Sequence, residues 1–325
     1  MQRVLKPHPS AASPGLFART ELFPLEVTFG APETVLGESD PGPALALPVP
    51  WLGGDQIECL FPETDPIGFA HGCAVRMAGE LMVGYAVQPV GSSMRMASRD
   101  LYARIIAATL GHQLYRVWNY VPQINATHGG VENYQAFCAG RSESFELAHG
   151  PGFKRRLPAA SAVGCGGNAL VTIFAAGRAT PRHIENPEQV PAYEYPREHG
   201  PRPPSFSRAS VVLADGRKWV FVSGTAAIKG HHTVAPDDLE PQLACTLDNL
   251  RIVGRAAGLG REVGRGSPYR RFLKVYIRQA GDYPAVREYL ERELLQPQDR
   301  VIYLQADICR SALQVEVELS AVESD

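Results

Sequence analysis

The sequence has no C-x-x-C pair, and no cysteine sits at metal-ligand spacing from a histidine. Its six cysteines, Cys59, Cys73, Cys138, Cys165, Cys245 and Cys309, therefore read as reduced thiols rather than a disulfide framework. It also has no excess of charge. The 32 Lys and Arg nearly balance 34 Asp and Glu, for a net charge of -2. That balance removes the electrostatic case for nucleic acid or an anionic membrane as partner. No apolar run approaches the roughly 20 residues of a membrane span. Met1 to Thr20 lacks the continuous apolar stretch of a signal peptide. These absences predict a cytoplasmic protein. Histidine is sparse, and His231-His232 is the only adjacent pair. Neighbours on a strand point to opposite faces, so no metal site is expected there.

What is present is enough apolar material, 45% of 325 residues, for a sizeable core. The short basic runs Lys154-Arg155-Arg156 and Arg270-Arg271 read as solvated faces. Residues 1–50, rich in Pro, Gly and Ala, read as an extended arm containing a strand over Leu25 to Phe29. Residues 56–90 suggest several strands, most clearly Met82 to Val87. The spacing of Leu101, Ile105, Ala108, Leu114, Val117 and Trp118 predicts a helix from Ser98, its N-cap, to Tyr120. Tyr134, Phe137, Cys138, Arg141 and Phe145 predict another over 130–149. A buried strand follows at Ala169 to Ala175.

The proline-rich segment 181–208 is expected to connect an N-terminal unit, 1–180, to a C-terminal unit, 209–325, and to line a site. In the second unit, strands on either side of Asp215-Gly216 form a hairpin. Then come a helix (239–258), a strand (271–278), a helix (283–295) and two strands (300–308 and 313–322). The order is β-β-α-β-α-β-β, and the first half offers a looser version of it. The expected class is α+β, with mixed sheets each backed by helices on one face.

Two patterns bear on chemistry. Alternation in Leu313 to Leu319 puts Val315, Val317 and Leu319 on one face and Gln314, Glu316 and Glu318 on the other. The carboxylate face is then either solvated or part of a cleft, and alternation alone does not rank Glu316 above Glu318. Elsewhere, Tyr134 and Arg141 share one helix face. Arg202, Ser205 and Arg208 stand in the proline-rich loop. Arginine suits carboxylate binding because its planar fork engages both oxygens.

Several strings together resemble a known family. Val222-Ser-Gly-Thr-Ala-Ala-Ile228, Leu247-Asp-Asn-Leu250 and Val315-Glu-Val-Glu318 resemble the YjgF/Rid superfamily. Within it the chain resembles the chorismatases through Arg116-Val-Trp-Asn-Tyr-Val-Pro-Gln-Ile-Asn125, Tyr134 to Arg141, Pro158 to Gly164, Ile184 to Val190, Gly200 to Arg208, Lys274 to Arg278 and Ala306 to Arg310. The resemblance covers roughly residues 55–322. It implies two Rid-like halves in one chain, so a monomer is feasible where simple Rid proteins are trimers, with a trimer as the alternative.

The resemblance also implies cofactor-free cleavage of the enolpyruvyl ether of chorismate. Glu316 matches the acid position, which must stay protonated near neutral pH. Cys309 matches the residue that marks the hydroxybenzoate-forming branches, with Gly224 as a small companion. The implied products are pyruvate and 3-hydroxybenzoate, with 4-hydroxybenzoate as a second aromatic product. For the two substrate carboxylates the first candidates are Arg141 and Arg208, followed by Arg278 and Arg202. Tyr134 and Tyr120 are candidate phenol donors. Three other readings remain: a Rid-type imine deaminase, a chorismate hydrolase giving a dihydroxycyclohexadiene acid, and a small-molecule-binding module without chemistry. The deaminase is disfavoured because Val301 to Ala306 lacks the arginine those enzymes use.

Overall fold

The structure is a computed structural model that describes residues 23–36, 45–266 and 268–324. The segment 1–22, the first part of the expected arm, lies outside them. The core is one arrangement built twice. The first copy runs β1 (Cys73–Ala78), β2 (Leu81–Pro89), α1 (Met94–Ala108), β3 (Gln113–Pro122), α2 (Asn133–His149), β4 (Ala159–Cys165) and β5 (Ala169–Gly177). The second runs β6 (Ala209–Ala214), β7 (Arg217–Ala226), α3 (Leu239–Ala256), β8 (Tyr269–Ile277), α4 (Tyr283–Glu293), β9 (Arg300–Gln305) and β10 (Val315–Glu323). Across the sheets the orders are β1-β2-β5-β3-β4 and β6-β7-β10-β8-β9. In each copy the pair formed by the third and fourth strands is parallel. The looser element order expected of the first half is thus a full topological repeat.

Alternation decides how the copies assemble. In β10, Val315, Val317, Leu319 and Ala321 pack under α3 and α4. In the first copy, Val117, Val121, Leu170, Phe174 and Ala176 pack under α1 and α2. The opposite faces of both sheets, including Trp118, Ile173, Phe221 and Tyr276, form one shared core. The molecule is therefore layered helix, sheet, sheet, helix. Outside the repeats, Trp51–Gly54 adds to the second sheet beside β9, and Phe23–Phe29 pairs with Ile57–Thr64. Among the described residues no helix is long and apolar enough to cross a membrane.

The second half follows its sequence pattern closely. Asp215 and Gly216 take φ of 52° and 70°, the left-handed pair that a two-residue hairpin turn needs. The first half departs at 98–120. Its helix runs Met94–Ala108, capped by Ser93, whose Oγ accepts a hydrogen bond from Met96 N at 3.3 Å. Ser98 is buried inside that helix and bonds Phe137 O. Leu114 and Val117 continue the apolar phase, but the chain turns at Gly111, with φ 82°, and resumes as β3. The basic runs also divide. Arg155 and Arg156 are exposed, whereas Arg271 is buried against Asp299.

Candidate active site

The first copy's edge strand, β4, meets the second copy at a corner. Gly164 N bonds Asp307 O at 2.7 Å, and Ala160 N bonds Ser223 Oγ at 2.8 Å. Just there β7 carries a bulge: Val222 faces Leu319 while Thr225 faces Val317, so two residues, Ser223 and Gly224, oppose one, Glu318. The bulge brings Gly224 onto Glu316. A β-carbon at 224 would lie 1.9 Å from Glu316 Oε1, so only glycine leaves the carboxyl its place.

The carboxylate face of β10 is neither solvated nor uniform. Glu318 is sealed between the sheets. Its Oε2 accepts from Arg116 Nη2 at 2.7 Å and Ser161 Oγ at 2.5 Å, and its Oε1 lies 3.1 Å from Lys274 Nζ. Lys274 also meets Glu58 at 2.7 Å. Burial alone would raise the Glu318 pKa, but Lys274, Arg116 and the Ser161 hydroxyl together hold it below its ordinary value. Glu316 is equally buried, at 3% exposure, yet it faces a cavity. Burial, then the charge of Glu318, push its pKa up to about 8, against Arg116 and Arg208. Two carboxyls two residues apart thus differ in protonation at neutral pH: one ionised and fixed, one neutral and facing the cavity.

The cavity holds about 710 Å³ of empty space, mouth included, and is lined by Tyr134, Phe206, Arg208, Gly224, Cys309 and Glu316 among others. A smaller adjoining recess shares Tyr134, Phe206, Gly224, Cys309 and Glu316 and adds Arg141. Arg141 is 2% exposed and lies over the Tyr102 ring at 5.1 Å. No protein group accepts from its Nε or Nη2 among the described residues. A buried guanidinium with free donors can hold an anion. Arg208 likewise leaves Nε unpartnered, while its Nη2 is held by Tyr195 OH at 2.9 Å. Burial, then Glu316, push the Cys309 thiol up to about 12, so it stays uncharged.

The structure brings together six of the nine expected residues: Glu316, Cys309, Gly224, Tyr134, Arg141 and Arg208. It sets three apart. Arg278 is committed elsewhere, donating to Leu313 O at 2.7 Å and Arg310 O at 2.9 Å and pairing with Asp307. It braces the loop that carries Cys309 and does not face the cavity. Arg202 pairs on the surface with Glu146 at 2.5 Å. Tyr120 is buried between the sheets, 3.5 Å from Lys274 Nζ, where burial raises its pKa far above that of a free phenol. Sequence reasoning gave no role to Arg116, Ser161 and Lys274, the groups that set the protonation of the β10 carboxyls. Alternation along β3 would have put Arg116 on one face with Trp118 and Tyr120. Reading 98–120 as a helix hid that.

Comparison with known proteins identifies the family. Residues 65–176 match the family model described as Chorismatase FkbO/Hyg5-like, N-terminal. A 3-hydroxybenzoate synthase of Streptomyces hygroscopicus is 42% identical over 79% of this chain and 76% of its own length. A chorismatase of Streptomyces rapamycinicus is 37% identical over 77% of each. A chorismatase crystal structure superposes with a TM-score of 0.79 at 29% identity, covering 96% of both chains. The chain belongs to the chorismatase family.

Proposed function

We propose that this protein cleaves chorismate to pyruvate and 3-hydroxybenzoate without a cofactor. The observation that carries the proposal is the neutral, buried Glu316 in a cavity whose recess holds the unpartnered guanidinium of Arg141. A vinyl ether breaks when its terminal methylene is protonated, which needs a carboxylic acid that still holds its proton at working pH. Arg141 and Arg208 give chorismate's two carboxylates one buried guanidinium each.

Glu316 passes its proton to the methylene, leaving an oxocarbenium ion. Water adds to the ether carbon, and collapse of the hemiketal releases pyruvate and returns a proton to Glu316. Loss of the ring's 4-hydroxyl as water then gives the aromatic product. One water enters and one leaves, so the two products together have the composition of chorismate. The neutral Cys309 thiol, lining the same cavity as Glu316, is the group we assign to the aromatising outcome.

The test is chromatography of products from chorismate with wild type, Glu316→Gln and Cys309→Ala. Glu316→Gln should retain substrate binding and lose about 10²–10⁴-fold in turnover. Turnover at the wild-type rate would remove Glu316 as the acid. Cys309→Ala should keep releasing pyruvate while shifting product toward the non-aromatic diene diol. If wild type itself yields only that diol, the hydroxybenzoate assignment fails.

A further inference from the structure

Beside the cavity mouth, the structure gathers three ligand-type side chains from two segments that lie apart in the sequence. The proline-rich loop supplies Glu198 and His199, and the turn after Ile228-Lys229 supplies His231. His199 Nε2 lies 3.0 Å from His231 Nδ1. One carboxylate oxygen, Glu198 Oε1, lies 3.4 Å from the first nitrogen and 3.3 Å from the second. The adjacent His231-His232 pair is not the cluster. His231 finds its partner across the mouth, from a segment more than 30 residues away.

The dimensions of this triangle are informative. Zinc binds imidazole nitrogen and carboxylate oxygen at about 2.0–2.2 Å in tetrahedral geometry. The edge of such a tetrahedron is about 1.63 times the bond length, or roughly 3.3 Å. All three measured separations fall within about 0.3 Å of that edge, so one ion reaches all three atoms with little movement. We propose that Glu198, His199 and His231 form a binding site for a divalent transition-metal cation, zinc being the best match, at the mouth of the cavity. Two imidazoles and one carboxylate are a borderline-soft donor set, which favours zinc over calcium or magnesium. With three protein ligands, a fourth position remains for water.

The supports of the ligands are firm. Arg310 Nη1 donates to His231 O at 2.9 Å and to Thr233 Oγ1 at 3.3 Å. Gly230 exchanges backbone hydrogen bonds with Glu188 and Val190, tying the turn to the loop. The Tyr195 ring packs 5.3 Å from His199 and 6.3 Å from His231. Arg310 is a cation near the cluster whose charge opposes a metal, and its guanidinium is turned toward the His231 carbonyl and the Tyr195 ring. Bound metal would link the proline-rich loop to the turn and clamp the mouth through which substrate passes. It takes no part in the proton transfer at Glu316.

The test uses chelator-treated full-length protein without chorismate, so it stands or falls apart from the proposed activity. Cobalt(II) is titrated as a spectroscopic stand-in and zinc by calorimetry. Wild type should bind one equivalent and show the visible bands of tetrahedral cobalt with nitrogen and oxygen ligands. His199→Ala and His231→Ala should each weaken binding at least tenfold. Glu198→Gln, at an exposed position where folding is not at risk, should weaken it as well. Zinc should raise the melting temperature of wild type and not of His231→Ala. Absence of binding by wild type, unchanged affinity in all three variants, or cobalt–thiolate charge-transfer bands that place the ion at a cysteine would each overturn the site.

Discussion

The two copies share strand order, pairing directions and helix placement, yet they differ in what they turn toward the interface between the sheets. In the first copy, β5 presents Val171, Ile173 and Ala175 to the shared core. Its counterpart, β10, presents Glu316, Glu318 and Ser320 at the same face. The helices are divided the other way. α2 brings Tyr134 and Arg141 to the cavity, whereas its counterpart α4 buries only Val286 and Leu290 against its sheet. The scaffold thus fixes where a strand or helix lies, and a few interface residues decide which copy holds the acid and which the anchor. Neither copy alone makes the cavity.

The largest effect should come from breaking the charged side of that contrast. Glu318→Gln leaves Lys274 and Arg116 buried between the sheets without their shared anion. Removing one partner of a buried ion pair costs about 3–5 kcal/mol. Chemical denaturation should show a loss of that size, while Glu316→Gln, which replaces a neutral acid by a neutral amide, should cost far less at pH 7. Equal costs would mean that the two carboxyls are in the same protonation state.

Next comes the bulge that makes room for Glu316. Gly224→Ala places a methyl 1.9 Å from Glu316 Oε1 and 2.6 Å from its carboxyl carbon. The acid must then swing away, and a misplacement of about 1 Å can cost on the order of 100-fold in rate. Turnover should fall by that order with little change in melting temperature. Full activity would show that the bulge does not position the acid.

The visible part of this design was the alternation in Val315 to Leu319, because a strand whose one face is apolar must bury it. The pattern said nothing about the other face, since a sheet–sheet interface can hold carboxylates only when cations come to meet them. Those cations lie on β3 and β8, far away in sequence. Lys274 and Arg116 look like any surface basic residue until the strands are paired. The helices of the second half were legible because each has a single apolar stripe ended by Gly or Pro-rich segments. The 98–120 region misled because two unrelated elements, α1 and β3, happen to continue one apolar phase across the turn at Gly111. The arginines separated correctly only in three dimensions: Arg141 has free donors, while Arg278 has spent its own on backbone carbonyls.

A smaller effect concerns pH. Glu316 works as the neutral acid, so turnover should be level below about pH 8 and fall about tenfold per unit above it. Glu318→Gln removes the neighbouring charge that helps to raise Glu316 and should move that limb to lower pH, in whatever folded protein survives. Stability carries the same sign. A carboxyl whose pKa is raised by folding contributes fully below its unfolded value and loses that contribution as pH rises through about 8. Glu318, held low, behaves oppositely: its contribution is lost as the solution turns acid. A rate limb that stays in place in Glu318→Gln would uncouple the two groups.

The smallest effect should come from β5, the strand of the first copy that supplies only packing. Ile173 in β5 is 4% exposed and fills the shared core at the face where β10 holds its carboxyls. Ile173→Val removes one buried methylene, which typically costs about 0.5–1.5 kcal/mol. Because β5 contributes only packing, the loss should appear in denaturation midpoint and leave turnover, product ratio and the pH limb unchanged. A change in product ratio or in the position of the limb would mean that the apolar strand β5 also shapes the cavity. The division of labour between the copies would then be one of degree, with the packing of the first sheet helping to set the protonation of the second.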